Sequence, residues 1–442
     1  MLTRRAFLEA SSLVLAGTAV PEVEPSEALE QGQGRQELPP SIAALTPMRD
    51  GVQPITTDER RGRLERARRL MTEHGQDGLM LTGGTSLVYY ANVRWGLSER
   101  LLALVVPVRG EPFVVCPAFE EDRAREQLAQ GPLGPDGVAV LTWHEDESPY
   151  RLVAEGLAAR GLATGRLGME ETVRFVFADG VAQAAPAATV VSGTPVTAGC
   201  RGRKDAHEVA LMRHASAVTL KAYEAVYRAL EDGMTQARVA ELVAIAHTRL
   251  GYSGGAGVQV GEASALPHGS AVPQVIREGT VLLIDGGCAV EGYRSDISRT
   301  TVLGEPTQRQ IDIWNLELEA QNAGFAAAQV GVPCEEVDAA ARKVIVDAGF
   351  GPDYKIPGLP HRTGHGIGLD GHEWTNFVKG NTTPLAPGMC FSDEPMVAIY
   401  GEFGIRLEDC LYMTEQGPRF FTTQSVSITQ PFADDPGVRA TT

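Results

Sequence analysis

VLLIDGGCAVEGYRSDISRT, residues 281–300, reads as two strands folded about a turn. The apolar run Val281–Ile284 is a buried strand, Glu291-Gly292 supplies the turn, and Tyr293–Thr301 returns. In an antiparallel hairpin with an even-numbered loop, residues an odd number apart share a face. Asp285 and Asp296 are 11 residues apart. A four-residue loop sets them directly opposite and a two-residue loop sets them diagonal, within reach of a common pair of ions in either case.

Two further Gly-bounded blocks extend this pattern. In HRTGHGIGLDGHEW (361–374), His361, His365 and His372 alternate with Gly364, Gly366, Gly368 and Gly371. Glycine at this density disfavours an uninterrupted helix and lets a ligand approach the backbone closely. FSDEPMVAIYGEFGIRLEDC (391–410) reads as a second hairpin that carries Glu394 and Glu408. Their even spacing demands an odd loop or a bulge, which Gly401 and Gly404 permit. Arg406 lies two residues before Glu408 and shares its face, where it can orient that carboxylate. Asp285, Asp296, His365, Glu394 and Glu408 are thus the candidate metal ligands. Four carboxylates and one imidazole in one place require cations. Such an oxygen-rich set suits Mn²⁺, Co²⁺ or Zn²⁺, and two ions sharing carboxylates would activate a bridging water for hydrolysis.

The remaining sequence narrows the chemistry. A chain of 442 residues, 43% hydrophobic and 21% charged, has the composition of a soluble globular protein with two or more domains. Its formal net charge of −17, with no dense Lys/Arg stripe, argues against nucleic acid. The sequence has no G-x-S-x-G elbow, no HExxH helix and no nucleotide-binding glycine pattern around Thr82–Thr85. The six cysteines are scattered without a CxxC pair and read as buried free thiols. Arg4-Arg5 ahead of a short apolar run, Leu13–Val20, has the order of a twin-arginine export signal over residues 1–28. That run is too short to span a bilayer, and no other segment approaches the length, so no stable membrane insertion is expected. A Pro/Glu/Gln-rich flexible linker is expected over 29–54.

Helix-like and strand-like pieces alternate over residues 55–198, which indicates an α/β domain. Asp205-Ala-His-Glu208 is a capping box opening a long helix expected to stop at Gly233. From here the sequence repeats. Gly233, a helix, and Gly251-Tyr252 match Gly331, a helix, and Gly349-Phe350, each 98 residues later. Gly279 leads to Asp285 as Gly388 leads to Glu394, six residues on in both cases. An internally duplicated α+β catalytic domain over 199–430 is expected, with 431–442 a C-terminal tail. His207, His214 and His247 lie on helices and read as packing or surface residues.

These blocks resemble the "pita-bread" metallopeptidases: Xaa-Pro aminopeptidases, prolidases, methionine aminopeptidases and creatinases. The matching pieces are LLIDGGCAVEGYRSDISRT, HRTGHGIGLDGHE and EPMVAIYGEFGIRLED. Residues 55–195 resemble the creatinase/prolidase N-terminal domain. The resemblance implies an α/β N-terminal domain joined to a pseudo-twofold α+β catalytic domain. It implies that Asp285 binds one ion, that Asp296 and Glu408 bridge two, and that His365 and Glu394 complete the set. Glu394 would also serve as general base. His268 and His372 would hold substrate and stabilise the tetrahedral intermediate, and His361 and Arg406 match further active-site positions. The implied cofactor is two divalent ions, manganese first and cobalt or zinc as alternatives. The implied activity is removal of an N-terminal residue preceding proline from short peptides, with an Xaa-Pro dipeptidase as the alternative. A catalytically silent binding module on this fold would be expected to lose ligands. A homodimer is also implied, with the loop Arg94–Arg100 as the segment reaching a neighbour. Met396 departs from the family's usual glycine after Glu-Pro.

Overall fold

The computed structural model describes residues 37–134 and 137–432. The expected export signal, the first part of the expected linker and the end of the expected tail therefore lie outside the described residues. The rest of the linker departs from its composition. A single helical turn, α1 (Pro40–Ala43), buries Ile42, and Leu45 follows it into the core. Ser41 Oγ donates to the Ala225 carbonyl at 2.7 Å. Two apolar side chains and a few polar anchors hold this segment where its Pro and Glu content points to a spacer.

The N-terminal domain begins with α2 (Thr57–Glu73), opened by a capping box between Thr56 and Glu59. A six-stranded mixed sheet follows: β1 (Gly78–Thr82), β2 (Ala103–Pro107), β3 (Phe113–Pro117), β4 (Ala139–Trp143), β5 (Arg166–Met169) and β6 (Thr189–Ser192), in spatial order β4-β3-β2-β1-β5-β6. Helices α3 (Thr85–Ala91), α4 (Glu121–Leu128), α5 (Pro149–Ala158), α6 (Phe175–Ala184) and α7 (Thr194–Arg201) flank it. Alternate residues serve two cores. Met80, Val105 and Val115 pack under α5 and α6, whereas Leu79, Leu81, Leu104 and Val114 join a cluster continuous with Val218, Leu282 and Ile297 of the catalytic domain. The expected boundary at 198/199 falls inside α7, which runs unbroken to Arg201.

The catalytic domain is duplicated. Helices α8 (Ala206–Tyr227) and α9 (Gln236–Arg249) back the sheet of β7 (Gly254–Val260), β8 (Val281–Val290), β9 (Tyr293–Arg294) and β10 (Ile297–Val302). Helices α10 (Gln308–Ala327) and α11 (Cys334–Asp347) accompany the second set: β11 (Gly364–Gly366), β12 (Glu373–Phe377), β13 (Cys390–Asp393), β14 (Met396–Ile399), β15 (Phe403–Arg406), β16 (Asp409–Thr414) and β17 (Gly417–Phe420). The glycines that carried the sequence repeat share one conformation. Gly233, Gly251 and Gly279 have φ of 89°, 95° and 79°, and Gly331, Gly349 and Gly388 have 86°, 93° and 86°. These left-handed positions favour glycine, which explains why the repeat survives at them. The Asp205 capping box opens α8 as expected, but the helix stops at Tyr227, before the glycine expected to end it. At the far end, Pro431 is buried and Phe432 packs on Tyr227 at 5.8 Å between ring centroids, so the tail begins inside the structure.

Candidate metal centre and active site

The first hairpin takes the two-residue alternative. Val290 pairs with Tyr293 across Glu291 and Gly292, both at positive φ, as a primed hairpin turn requires. Asp285 pairs with Ser298, and Asp296 lies diagonal to Asp285 on the same face. The second hairpin takes the odd loop. Ile399 pairs with Phe403 across three residues, and Met396 pairs with Arg406. The same register resumes at Asp393 and Asp409. Glu394 and Glu408 therefore face each other in the gap between two ladders. Met396 takes an ordinary strand conformation with its side chain wholly buried among Ile313, Ile345 and Ile405, so the departure from glycine is absorbed by the core.

His365 sits on the short strand β11. The glycines around it serve a different purpose from the one expected, because the close neighbours are the protein's own atoms. A Cβ on Gly364 would lie 2.1 Å from the Ser392 carbonyl oxygen, and one on Gly368 would lie 2.6 Å from Lys204 Cε. Glycine here lets β11 press against β13 and drives His365 into the centre.

All nine candidate residues line one cavity of about 740 Å³: His268, Asp285, Asp296, His361, His365, His372, Glu394, Arg406 and Glu408. Ligand atoms of Asp296, His365 and Glu408 lie within 4.8 Å of one another. His365 Nε2 is 3.1 Å from Glu394 Oε1 and 4.0 Å from Asp296 Oδ2. Its Nδ1 lies 3.0 Å from the Gly366 carbonyl, which fixes a proton there and turns Nε2 toward the carboxylates, where it carries a proton in metal-free protein and would offer its lone pair to an ion.

The electrostatics of this cluster are those of a cation site. Burial, then repulsion from Asp285, pushes the Asp296 carboxyl up to about 7. Burial, then Asp296 and Glu394, raises Glu408 well above the carboxylate range. Burial pushes Glu394 the same way, yet its bond to His365 reverses the shift and holds it ionised. Four acids gathered at the cavity wall with a properly turned imidazole suit divalent, oxygen-preferring cations.

The other three histidines differ in what they offer. Burial, then the His365 and Arg362 charges, lowers His372 to about 4, so it is neutral. Arg362 Nη2 donates to its Nδ1 at 2.8 Å, which puts the ring proton on Nε2. His361 Nδ1 bonds the Arg362 carbonyl at 2.7 Å, and its buried Nε2 has no partner. It presents a lone pair to the cavity. His268 lines the cavity beside Pro267, whose carbonyl accepts from Arg406. Arg406 binds Asp285 and the Ser298 hydroxyl rather than Glu408, so the expected direct contact with that carboxylate is replaced by one through Ser298.

Sequence reasoning missed Ser298 and Arg362. Ser298 Oγ lies 2.9 Å from Asp285 Oδ1 and 2.7 Å from Glu408 Oε2. Its position two residues after Asp296 on the same strand face was the available signal. The histidines behave as expected elsewhere: His247 is fully buried, His214 bonds the Met48 carbonyl and His207 pairs with Glu59. All six cysteines are buried and free. Among the described residues, no helix is long and apolar enough to cross a membrane.

Comparison with known proteins agrees with this geometry. Residues 210–415 match the model of metallopeptidase family M24, and residues 63–202 match the creatinase/prolidase N-terminal domain. The "probable dipeptidase PepE" of Mycobacterium tuberculosis (strain ATCC 25618 / H37Rv) is 36% identical over 358 residues, 80% of this chain and 92% of that one. The Xaa-Pro dipeptidase of Lactobacillus delbrueckii subsp. lactis is 30% identical over 371 residues, 83% of this chain and 98% of that one. The crystal structure of dipeptidase PepE from Mycobacterium ulcerans superposes with a TM-score of 0.78 at 33% identity, covering 85% of this chain and 99% of that one. The chain belongs to metallopeptidase family M24, in the group that carries a creatinase/prolidase N-terminal domain.

Proposed function

We propose that this protein is a dinuclear metal-dependent peptidase that cleaves the bond ahead of proline at the N-terminus of short peptides, with Xaa-Pro dipeptides as the favoured substrates. The observation that carries the reading is the convergence of four acids, one metal-facing imidazole and three further histidines on one cavity. The names of the dipeptidase relatives favour a dipeptide over a longer chain.

Asp285, Asp296, His365, Glu394 and Glu408 would hold two divalent ions, manganese first and cobalt or zinc as alternatives. Bound there, the ions would neutralise the acids, polarise the scissile carbonyl and supply an activated water. Glu394, on the cavity wall beside His365, is the group that accepts the water's proton. His372 Nε2–H donates to oxygen charge developing at the carbonyl carbon. His361 Nε2 accepts from a substrate N–H, and His268 completes the wall. Chelation should abolish cleavage of Ala-Pro and added Mn²⁺ or Co²⁺ should restore it. Full activity in metal-free protein would end this reading.

A specific observation favours the aminopeptidase reading as the alternative. A second cavity of about 440 Å³, lined by Ser270, Val272, Gln274 and Tyr400, adjoins the first through Leu266 and offers room for a longer peptide. Comparing Ala-Pro with Ala-Pro-Ala separates the two.

We also propose a homodimer that uses the loop Arg94–Arg100. Leu97, Phe119 and Phe175 are exposed around it, and Arg100 and Arg174 tie that region together. Light scattering of wild type against Leu97→Asp tests it. Export by the Arg4-Arg5 signal is proposed from sequence alone, and Arg4→Lys/Arg5→Lys should retain the protein in the cytoplasm.

A further inference from the structure

The backbone that carries His361 has no sheet to hold it. Gly358 bridges to Ala398, and β11 begins only at Gly364. Between them, among the described residues, no backbone group of residues 359–362 bonds to another backbone group. Backbone without a ladder opens easily, so a ring carried on it keeps its aim only where side chains fix the chain.

Two side chains of α11 supply that hold. Arg342 Nη2 donates to the His361 carbonyl at 2.8 Å, and its Nη1 donates to the carbonyls of Leu359 at 2.9 Å and Asp353 at 2.7 Å. Asp338, four residues earlier on the helix and buried, accepts from Arg342 Nε at 3.2 Å and Nη2 at 3.1 Å, a two-point pair that fixes the guanidinium plane. Asp338 Oδ1 also accepts from the Thr363 N–H at 3.0 Å and from the Thr363 hydroxyl at 2.8 Å.

These contacts meet on one peptide unit. The Arg362 carbonyl accepts from His361 Nδ1 at 2.7 Å, and the Thr363 N–H held by Asp338 belongs to the same planar group. Asp338 therefore sets the plane that turns the His361 ring, while Arg342 anchors the residue that bears it. What results is a buried Nε2 without a protein partner on the cavity wall.

We infer that Asp338 and Arg342 are positioning residues of the active site, which aim His361 Nε2 at a substrate N–H. This rests on the peptidase reading above, in which His361 accepts that hydrogen bond. Neither residue is among those lining the cavity, so both act through the imidazole.

The test is a double-mutant cycle between Asp338→Ala and His361→Ala, read as kcat/KM for Ala-Pro on manganese-loaded protein. Asp338→Ala alone should lower kcat/KM about 10- to 100-fold, with bound Mn²⁺ at the wild-type level by elemental analysis. In the His361→Ala background the same change should cost less than about threefold, because no ring is left to aim. Asp338→Asn keeps an acceptor in place and should recover part of the loss. Arg342→Lys, a milder break in the same pair, makes the same comparison where Asp338→Ala does not fold. Equal losses in the two backgrounds, or Mn²⁺ lost from Asp338→Ala, would overturn this inference alone. The pair would then act on the fold or on the ligands. His361→Ala with wild-type activity would overturn the role of His361 and this inference with it. Wild type inert toward Ala-Pro after metal loading would overturn the peptidase reading beneath both.

Discussion

The Ser298 hydroxyl lies 2.7 Å from Glu408 Oε2, and the backbones of the same two residues form an antiparallel bridge between the two halves of the catalytic domain. Ser298 also reaches Asp285 and accepts from Arg406 Nε. One fully buried side chain thus stands between carboxylates of two hairpins, the farther of them 110 residues from Ser298 itself. Residues behind metal ligands commonly contribute ten- to a hundredfold in affinity or activity. Ser298→Ala should lower the affinity for the second Mn²⁺ by about that factor while leaving the fold intact. Calorimetric titration alongside kcat/KM measures it, and a variant that binds both ions like wild type would refute the role.

The acid cluster makes a prediction of opposite signs. Without cations, Glu408 is buried against Asp296, Glu394 and Asp285, and the repulsion opposes folding. Glu408→Gln removes one of the four acids at nearly constant volume. The metal-free variant should therefore melt higher than metal-free wild type. Added Mn²⁺ should raise the wild-type Tm, by an amount equivalent to about 2.7 kcal/mol at a hundredfold excess over Kd. It should do little to the variant. If both proteins respond alike to metal, Glu408 is not a ligand.

Gly364 tests the packing that delivers His365. The space for a Cβ there is already taken by the Ser392 carbonyl oxygen. That oxygen belongs to the backbone of β13, so β11 would have to separate from β13. Gly364→Ala should cost about 1–3 kcal/mol and displace His365, with metal affinity falling in parallel. A variant with wild-type urea midpoint and metal content would count against this account.

What the sequence revealed depended on the range of the physical signal. Asp285 and Asp296 were placed on one face by alternation about an even-numbered turn, all within 20 residues, and the structure chose the two-residue loop. Glu394 and Glu408 remained conditional, because spacing alone does not distinguish a loop of three residues from a bulge. The duplicated glycines were legible since left-handed backbone excludes most other residues. Long-range pairs left no such trace. The Arg201–Glu373 contact joins residues 172 apart, and nothing periodic surrounds either one. Ile42 and Leu45 were hidden for the opposite reason, as two apolar anchors in a stretch whose average composition is polar.

That long-range contact carries the last prediction. Glu373, next to His372, is buried with Lys204 Nζ at 2.8 Å and Arg201 Nη2 at 2.5 Å, while Arg201 and Thr85 Oγ1 both reach Asp370. Thr85 and Arg201 belong to helices of the N-terminal domain, so the group braces the histidine loop against that domain. Burial alone would raise Glu373, but the two cations overcome it and hold the carboxyl at about 2, below an ordinary 4.5. A depressed acid stabilises the fold fully above the ordinary value, and the contribution disappears as pH falls toward 2. The difference corresponds to about 3 kcal/mol. Glu373→Gln leaves two buried cations short of a partner and should cost about 3–5 kcal/mol at pH 7. Its stability should then decline less steeply than that of wild type between pH 5 and pH 2. Urea denaturation of both proteins across that window measures the slopes, and parallel acid limbs would show that the charge on Glu373 is not what holds the loop.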